Sequence, residues 1–235
     1  MQALHPGSLA GVRTHSRYKD DPLGRLAGTI RWLTITTFAS HEALAAEASR
    51  VNRMHDRVKG QYESSSGESR SYRAADPDLL RWVHIAFMDS FLRSHQIFST
   101  RPIPGGADAY VSLWAKSVEP LGLTDVPMNE KELLTWLDHY RGELSVNDDT
   151  RDVIQWLRNP PLPIAARPVY ALLFQSALAS LPPEHRKLIG LKSLPLSVLR
   201  PITRTLLKSI RLAIGPENPL VDVAKTRLQR AGFTL

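Results

Sequence analysis

The sequence predicts one compact all-α domain of 235 residues, and three observations carry that prediction. Apolar residues recur at alternating steps of three and four, which is the spacing of an amphipathic helix. Proline and glycine separate one such segment from the next, as they do between helices. The chain holds neither an internal repeat nor a low-complexity linker, so residues 1–235 are predicted to fold as a single unit.

The chain begins with a short predicted helix over Ser8–His15 and a longer one over Leu23–Phe38. Pro22 lies in the first turn of the longer helix, where proline is favourable. Several β-branched residues in this segment would also suit a strand. The periodicity favours a helix, and its predicted inward face consists of Leu26, Ile30, Leu33 and Thr37.

The third predicted helix begins after Ser40, a suitable N-cap, and ends at Gly60, a suitable C′ residue. It carries a histidine on its apolar row. That row consists of Leu44, Ala48, Val51, His55 and Val58.

A polar, serine-rich segment, Gln61–Arg73, is predicted to be a surface loop. The helix predicted after it covers Asp78–Phe98 and again places a histidine on its apolar row. The residues of this row are Leu80, His84, Phe87, Phe91, Ser94 and Phe98.

The remainder of the chain also reads as helical after a proline- and glycine-containing loop at Thr100–Gly106. The further predicted helices are Ala107–Val118, Asn129–Arg141, Thr150–Arg158, Pro168–Leu181, Pro183–Ile189, Leu196–Ile214 and Leu220–Ala231.

The two histidines on apolar rows, His55 and His84, are the first functional signal. Burying an imidazole without a partner costs about 1–3 kcal/mol, so an interior group that needs nitrogen ligands is expected, such as a haem iron. Arg25, Thr29 and Trp32 share one helix face and suit such a group, through a propionate, a hydrogen bond and ring packing. From spacing alone, a surface cation one turn into the helix is the favoured interpretation of Arg25.

The sequence excludes several other classes of site. With no cysteine, the chain lacks disulfides, zinc–thiolate sites and iron–sulfur clusters, and the motifs of di-iron bundles, metalloproteases, serine hydrolases and phosphate-binding loops are absent. A metal-dependent phosphohydrolase built on His55-Asp56 stays open. Its remaining ligands would come from His15 or His41 and from Asp78 or Asp89.

The net charge of +7 comes from scattered cations, with one basic helical stretch in residues 195–235. The sequence leaves open a solvated face, peripheral contact with an anionic membrane, or an acidic partner, and nucleic acid is disfavoured. We find no signal peptide and no long apolar run, which predicts a cytoplasmic protein, with membrane association left open. The cations of this stretch are Arg200, Arg204, Lys208, Arg211, Lys225, Arg227 and Arg230.

An ordered series of short motifs in residues 4–98 resembles a known family, the catalytic domain of MpaB-type oxygenases and of the rubber oxygenases called latex clearing proteins. The resemblance is looser towards the C-terminus. It rests on Leu4-His5-Pro6, Gly11-Val12, His15-Ser16, Asp21-Pro22, Arg25-x-x-x-Thr29, Val51-Asn52-x-x-His55-x-x-Val58-x-Gly60, Tyr72-x-Ala74-x-Asp76-Pro77-x-Leu79-x-x-Trp82-Val83-His84 and Asp89-Ser90.

This resemblance implies a globin-like helical fold that holds haem b and uses dioxygen to cleave isoprenoid double bonds. His55 matches the axial iron ligand, and Arg25 and Thr29 match an arginine and a threonine near the haem. His84 matches a further motif histidine, in a supporting or a distal position. We expect a small hydrophobic substrate in an apolar pocket that includes Phe87, Phe91 and Trp82.

Two departures from the rubber oxygenases are visible. Ser8–Lys19 contains no acidic residue where those enzymes place a glutamate, and Gly28 replaces their lysine. Proton transfer would then fall to His15, Asp20 or water. The departures leave open a haem carrier or sensor without turnover.

Overall fold

The computed structural model describes residues 1–215 and 218–234, and it confirms the mostly helical fold. Residues 216, 217 and 235 of the predicted basic stretch lie outside the described residues. Single 3₁₀ turns occur at Gln2–Leu4, Glu119–Leu121, Tyr140–Glu143 and Ile164–Ala166. The α-helices are α1 (Pro6–His15), α2 (Pro22–Phe38), α3 (His41–His55), α4 (Pro77–Phe98), α5 (Gly106–Ala115), α6 (Glu130–His139), α7 (Asp148–Arg158), α8 (Arg167–Ser180), α9 (Pro183–Ile189), α10 (Leu196–Ile214) and α11 (Pro219–Arg230).

Side-chain caps fix where the helices next to the site begin. The Asp21 carboxylate accepts a hydrogen bond from the Gly24 amide at 2.9 Å, and Ser40 Oγ accepts one from the Ala43 amide at 3.3 Å, as the sequence predicts for Ser40. Helix α1 is capped by a histidine. His5 Nδ1 accepts hydrogen bonds from the amides of Gly7 and Ser8, at 3.1 and 3.4 Å.

The predicted surface loop at Gln61–Arg73 is wrong, because this segment forms an antiparallel hairpin of β1 (Lys59–Glu63) and β2 (Ser69–Arg73). Its turn contains Gly67 with φ at +82°, a conformation that favours glycine. The predicted extension of α3 to Gly60 is also wrong, since α3 ends at His55. The buried Tyr72 pairs with Gly60 across the hairpin and anchors β2 against α1 and β1.

Helix α4 is the centre of the core. Trp82, Ile85, Met88 and Leu92 are fully or almost fully buried on it. They belong to one apolar cluster with side chains of α5 and α6: Val111, Leu133 and Leu137. The predicted inward row of α4 needs correction, because Phe91 is 44% exposed. Helix α4 has a second, more apolar row, and the side chains of that row pack in the core.

Helix α2 differs most from its predicted packing. Its structure is described in full and none of its residues is buried, and Leu26 and Ile30 of the predicted inward face are each 52% exposed. Polar contacts hold the helix at its C-terminal half. Arg31 pairs with the buried Glu47 of α3 at 2.9 Å, and Arg227 of α11 donates a hydrogen bond to the Phe38 carbonyl at 2.7 Å.

The C-terminal helices pack through a few buried polar contacts. The hydroxyls of Ser176 on α8 and Thr203 on α10 lie 2.7 Å apart, and Arg204 donates hydrogen bonds to the carbonyls of Ile97 and Ser99 at the end of α4. Among the described residues, no single helix is long and apolar enough to cross a bilayer. One pair bent by 119°, Ile164–Ser180 with Pro183–Ile189, meets the length and composition criteria only as a pair.

Candidate functional site

A cavity of about 540 Å³ lies between α1, α2, α3 and α4 and the segment after α5. This volume is within the range of pockets that bind cofactors and drug-sized ligands. The cavity brings together the five residues predicted to bind the cofactor or to act in catalysis, and each of them lines it: Arg25, Thr29, Trp32, His55 and His84.

Helix α2 contributes small, polar and apolar residues to the cavity wall: Gly24, Arg25, Gly28, Thr29, Trp32 and Leu33. Arg25 Nη1 donates a hydrogen bond to Thr29 Oγ1 at 3.1 Å, and the threonine hydroxyl lies 3.4 Å from the Arg25 carbonyl. Among the described residues Arg25 has no carboxylate partner. A side chain added at Gly28 would meet no atom within 4 Å, so this wall contains open space.

His55 is the last residue of α3 and is half-buried. Its Nδ1 is buried and has no hydrogen-bond partner within the described part of the chain. Burial lowers the pKa of His55, the positive charge of Arg25 lowers it further, and the Asp56 carboxylate opposes them. The imidazole is therefore neutral at physiological pH, the state in which a histidine binds a metal.

His84 lines the cavity from α4 and is 8% exposed. Its Nε2 is buried without a partner in residues 1–215 and 218–234, and its ring lies 6.4 Å from that of Trp114. Burial lowers its pKa to about 4. His84 is thus a neutral donor and acceptor with unused hydrogen-bonding capacity.

Two of the three predicted pocket aromatics need correction. Phe87 lines the cavity, but Trp82 lies in the core behind it, where its Nε1 donates a hydrogen bond to the Gln2 carbonyl at 3.0 Å. Phe91 packs on Phe87 and Trp114, outside the cavity. The apolar wall is completed instead by side chains that the sequence analysis did not single out: Leu79, Leu80, Val83, Trp114, Val118 and Leu121.

Sequence reasoning missed the cavity residues contributed by the end of α1 and by the hairpin. Arg17 lines the cavity and, like Arg25, forms no ion pair with a described carboxylate. Ser16 and Tyr72 line it with buried hydroxyls that have no partner in the described chain. The His15-Ser16 motif was a signal for this region, whereas nothing in the helical periodicity singles out Arg17.

The phosphohydrolase alternative finds no ligand set. Within the described residues, no group of three or more histidines, aspartates or glutamates could hold a metal ion. Asp78 pairs with Arg81 at 2.6 Å and Asp89 pairs with Arg93 at 2.8 Å, while His41 is exposed. The carboxylates that this alternative requires are therefore already engaged.

Residues 1–212 match the family described as ER-bound oxygenase mpaB/B'/Rubber oxygenase, catalytic domain. No curated protein and no solved structure matches the chain. The family match includes the cavity, all five predicted site residues and the helices from α1 to most of α10. The chain therefore belongs to the family of MpaB-type and rubber oxygenase catalytic domains.

Proposed function

We propose that this chain is a haem b-dependent oxygenase that cleaves a hydrophobic, isoprenoid-type substrate with dioxygen. The observation that carries the proposal is His55, a neutral imidazole with an unpartnered buried nitrogen, on the wall of a cavity large enough for a cofactor. A buried imidazole nitrogen without a hydrogen-bond partner costs stability unless a ligand binds to the ring.

The cavity residues from α2 and from the segment after α1 suit the edge of a haem. Arg25 and Arg17 are cavity cations without carboxylate partners in the described chain, and they would pair with the propionates. Thr29, held by Arg25, adds a hydroxyl to the same edge. Gly28 leaves space for a flat ring, and Trp32 would pack against it.

The residues of α4 and of the segment after α5 would receive the substrate. Leu80, Val83, Phe87 and Trp114 form an apolar wall that excludes water and orients a hydrocarbon chain. The haem, when bound through His55, supplies the redox chemistry with dioxygen.

Proton transfer has one candidate supported by position. His15 lines the cavity, whereas Asp20 lies outside it. His15 Nε2 lies 3.1 Å from the Lys59 carbonyl, which fixes the ring beside the hairpin. Asp21 also lines the cavity, but its carboxylate caps α2.

The absence of an acidic residue between Ser8 and Lys19, together with Gly28, favours a second candidate, a haem carrier or sensor without turnover. Oxygen uptake by the haem-loaded protein with a panel of terpenoids separates the two. Substrate-dependent uptake supports the oxygenase. A stable haem spectrum with no uptake across the panel supports the carrier.

The proposal of haem binding is tested by an absorption spectrum of protein produced with haem supplied, oxidised and then reduced under carbon monoxide. We expect a Soret band that shifts with carbon monoxide and is lost in His55→Ala. His41→Ala, an exposed histidine on the same helix, is the matched control and should keep the band. A band that survives His55→Ala, or its absence from the intact protein, would refute the proposal.

Peripheral membrane contact belongs to the same proposal, since a hydrophobic substrate resides in lipid. On α10, Ile202 and Leu212 are 49% and 74% exposed, and Arg200 and Lys208 are exposed cations on the same helix. We expect the protein to sediment with anionic but not zwitterionic vesicles, and the double substitution I202S/L212S to weaken sedimentation. Equal sedimentation of both proteins would contradict this.

A further inference from the structure

The cavity has two chemically different sides. The side formed by α2 and the end of α1 carries the cations Arg17 and Arg25. The other side, formed by α4, the end of α5 and the segment after it and called here the α4–α5 side, is mostly apolar. Its polar side chains among the described residues are His84, Trp114 and Ser117. Of these, His84 is the one that is almost completely buried.

His84 is poorly explained by packing alone. Its ring is buried against Trp114, yet none of its nitrogens hydrogen-bonds to a described residue. A leucine there would fill similar space without an unpaired polar atom. The imidazole therefore costs stability unless a ligand forms a hydrogen bond with its nitrogen.

The surroundings of His84 also limit what that ligand can be. Burial lowers the pKa of His84, whereas the positive charge of Arg25 adds to the effect of burial on the pKa of His55. His84 therefore offers a neutral hydrogen bond. The described residues that line its side of the cavity include no lysine or arginine to hold a carboxylate or a phosphate.

We infer that the α4–α5 side of the cavity binds a neutral oxygen function, an alcohol or a carbonyl, on an otherwise apolar substrate, with His84 as its hydrogen-bonding partner. This rests on the proposed function, because it names the substrate class of the same cavity. An isoprenoid hydrocarbon would fit the apolar wall but leave His84 unpaired. An isoprenoid acid would have to bury its charge there without a counter-ion.

The test is isothermal titration calorimetry of the haem-loaded protein with three matched C15 isoprenoids: farnesol, farnesene and farnesoic acid. We expect farnesol to bind about tenfold more tightly than farnesene, the discrimination that one buried hydrogen bond gives, and farnesoic acid to bind no better than farnesene. In His84→Leu the preference for the alcohol should disappear while farnesene binds at least as well as before. His84→Gln, which keeps a donor and an acceptor, should retain part of the preference.

Equal affinities for farnesol and farnesene in the unaltered protein would overturn the inference, and so would a preference that survives His84→Leu. If His84→Leu does not fold, His84→Ala takes its place in the comparison, and His84→Gln keeps its role as the conservative variant. The haem spectrum keeps this test separate from the proposed function. A Soret band without alcohol preference refutes only the subsite. If the protein never takes up haem, the same titration is made with the haem-free protein, and an alcohol preference there refutes only the haem proposal.

Discussion

The core around Trp82 and the cavity beside it differ in whether their buried polar side chains have hydrogen-bond partners within the chain. In the core, Tyr140 Oη donates a hydrogen bond to the Asp78 carbonyl at 2.9 Å, and Arg81 Nε donates one to the Asp125 carbonyl at 2.7 Å. His5 there uses Nδ1 to cap α1 and lies 3.2 Å from Glu143 through Nε2. These polar atoms hold the fold together because each has a partner inside the chain.

In the cavity, by contrast, buried polar atoms of Ser16, His55, Tyr72 and His84 have no partner in the described residues. Their hydrogen-bonding capacity is left for a ligand. The core side has two exceptions among the described residues, because the buried Tyr110 Oη and His185 Nδ1 also have no partner. Tyr18 Oη and Arg204 Nε are isolated cases of the same kind elsewhere in the described chain. Several unpartnered buried polar atoms lie around one cavity, and this concentration identifies the cavity as the binding site.

The largest expected effect comes from breaking the core side of this comparison. Trp82→Ala removes a fully buried ring and its hydrogen bond to Gln2, and we expect it to lower the free energy of unfolding by about 3–5 kcal/mol. Phe91→Ala on the same helix is the matched control. Because Phe91 is partly exposed, its loss should cost much less. Urea denaturation measures both, and equal losses would contradict the assignment of the core row.

The next effect is a pH dependence located at His84. Its pKa of about 4 in the folded protein is below the unfolded value of about 6.5, so the unfolded state binds the extra proton and stability is lost as the pH falls through that window. Between pH 7 and pH 5 this loss amounts to about 2 kcal/mol. We expect the free energy of unfolding of His84→Leu to fall by about 2 kcal/mol less than that of the unaltered protein between pH 7 and pH 5. Urea titrations of both proteins at the two pH values measure this difference.

His41→Leu is the control for that experiment, because His41 is exposed at the start of α3. It should show the same pH dependence as the unaltered protein. His5, His55 and His185 also have lowered pKa values and remain in both variants, so only the difference between the curves is assigned to His84. Parallel curves for His84→Leu and the unaltered protein would place His84 in a more hydrated site.

Two tyrosine hydroxyls offer a sharper comparison of the two regions. Tyr140→Phe removes the partner of the Asp78 carbonyl and a contact with Arg81, and we expect a loss of about 1–2 kcal/mol in the free energy of unfolding. Tyr72→Phe removes a buried hydroxyl that has no partner in the described chain, so it should leave stability unchanged or raise it. Urea denaturation at one pH decides the point, and a loss in Tyr72→Phe that matches Tyr140→Phe would contradict the comparison.

The fold class, which the structure confirms, and the five candidate site residues, which line one cavity, were predicted for different reasons. Helical periodicity and caps such as Ser40 located the helices, because those signals are local. Arg25, Thr29 and His55 came from the family motifs, and the cavity brings them together.

What the sequence did not predict depends on contacts between distant segments. The hairpin is stabilised by the burial of Tyr72 against α1 and β1, which no local pattern shows. The inward face predicted for α2 is only partly correct, because Leu33 lines the cavity but Leu26 and Ile30 are exposed. In the structure, small and polar residues face inward there, since a cavity rather than a core lies behind them.

The smallest expected effects on the free energy of unfolding come from replacing two glycines. They compare directly a position beside the cavity with a position in a packed region. Gly28 lies in α2 with open space around it, so Gly28→Ala should raise the free energy of unfolding by about 1 kcal/mol through helix propensity. Gly60 lies in β1, where an added methyl group would come within 3.0 Å of the Tyr72 ring, so Gly60→Ala should lower it by about 1 kcal/mol. Opposite signs in urea denaturation support the comparison, and a loss in both variants would contradict it. If Gly28→Ala is more stable yet takes up less haem, the open space at Gly28 serves the ligand, because the methyl group then helps the helix and harms only the cavity.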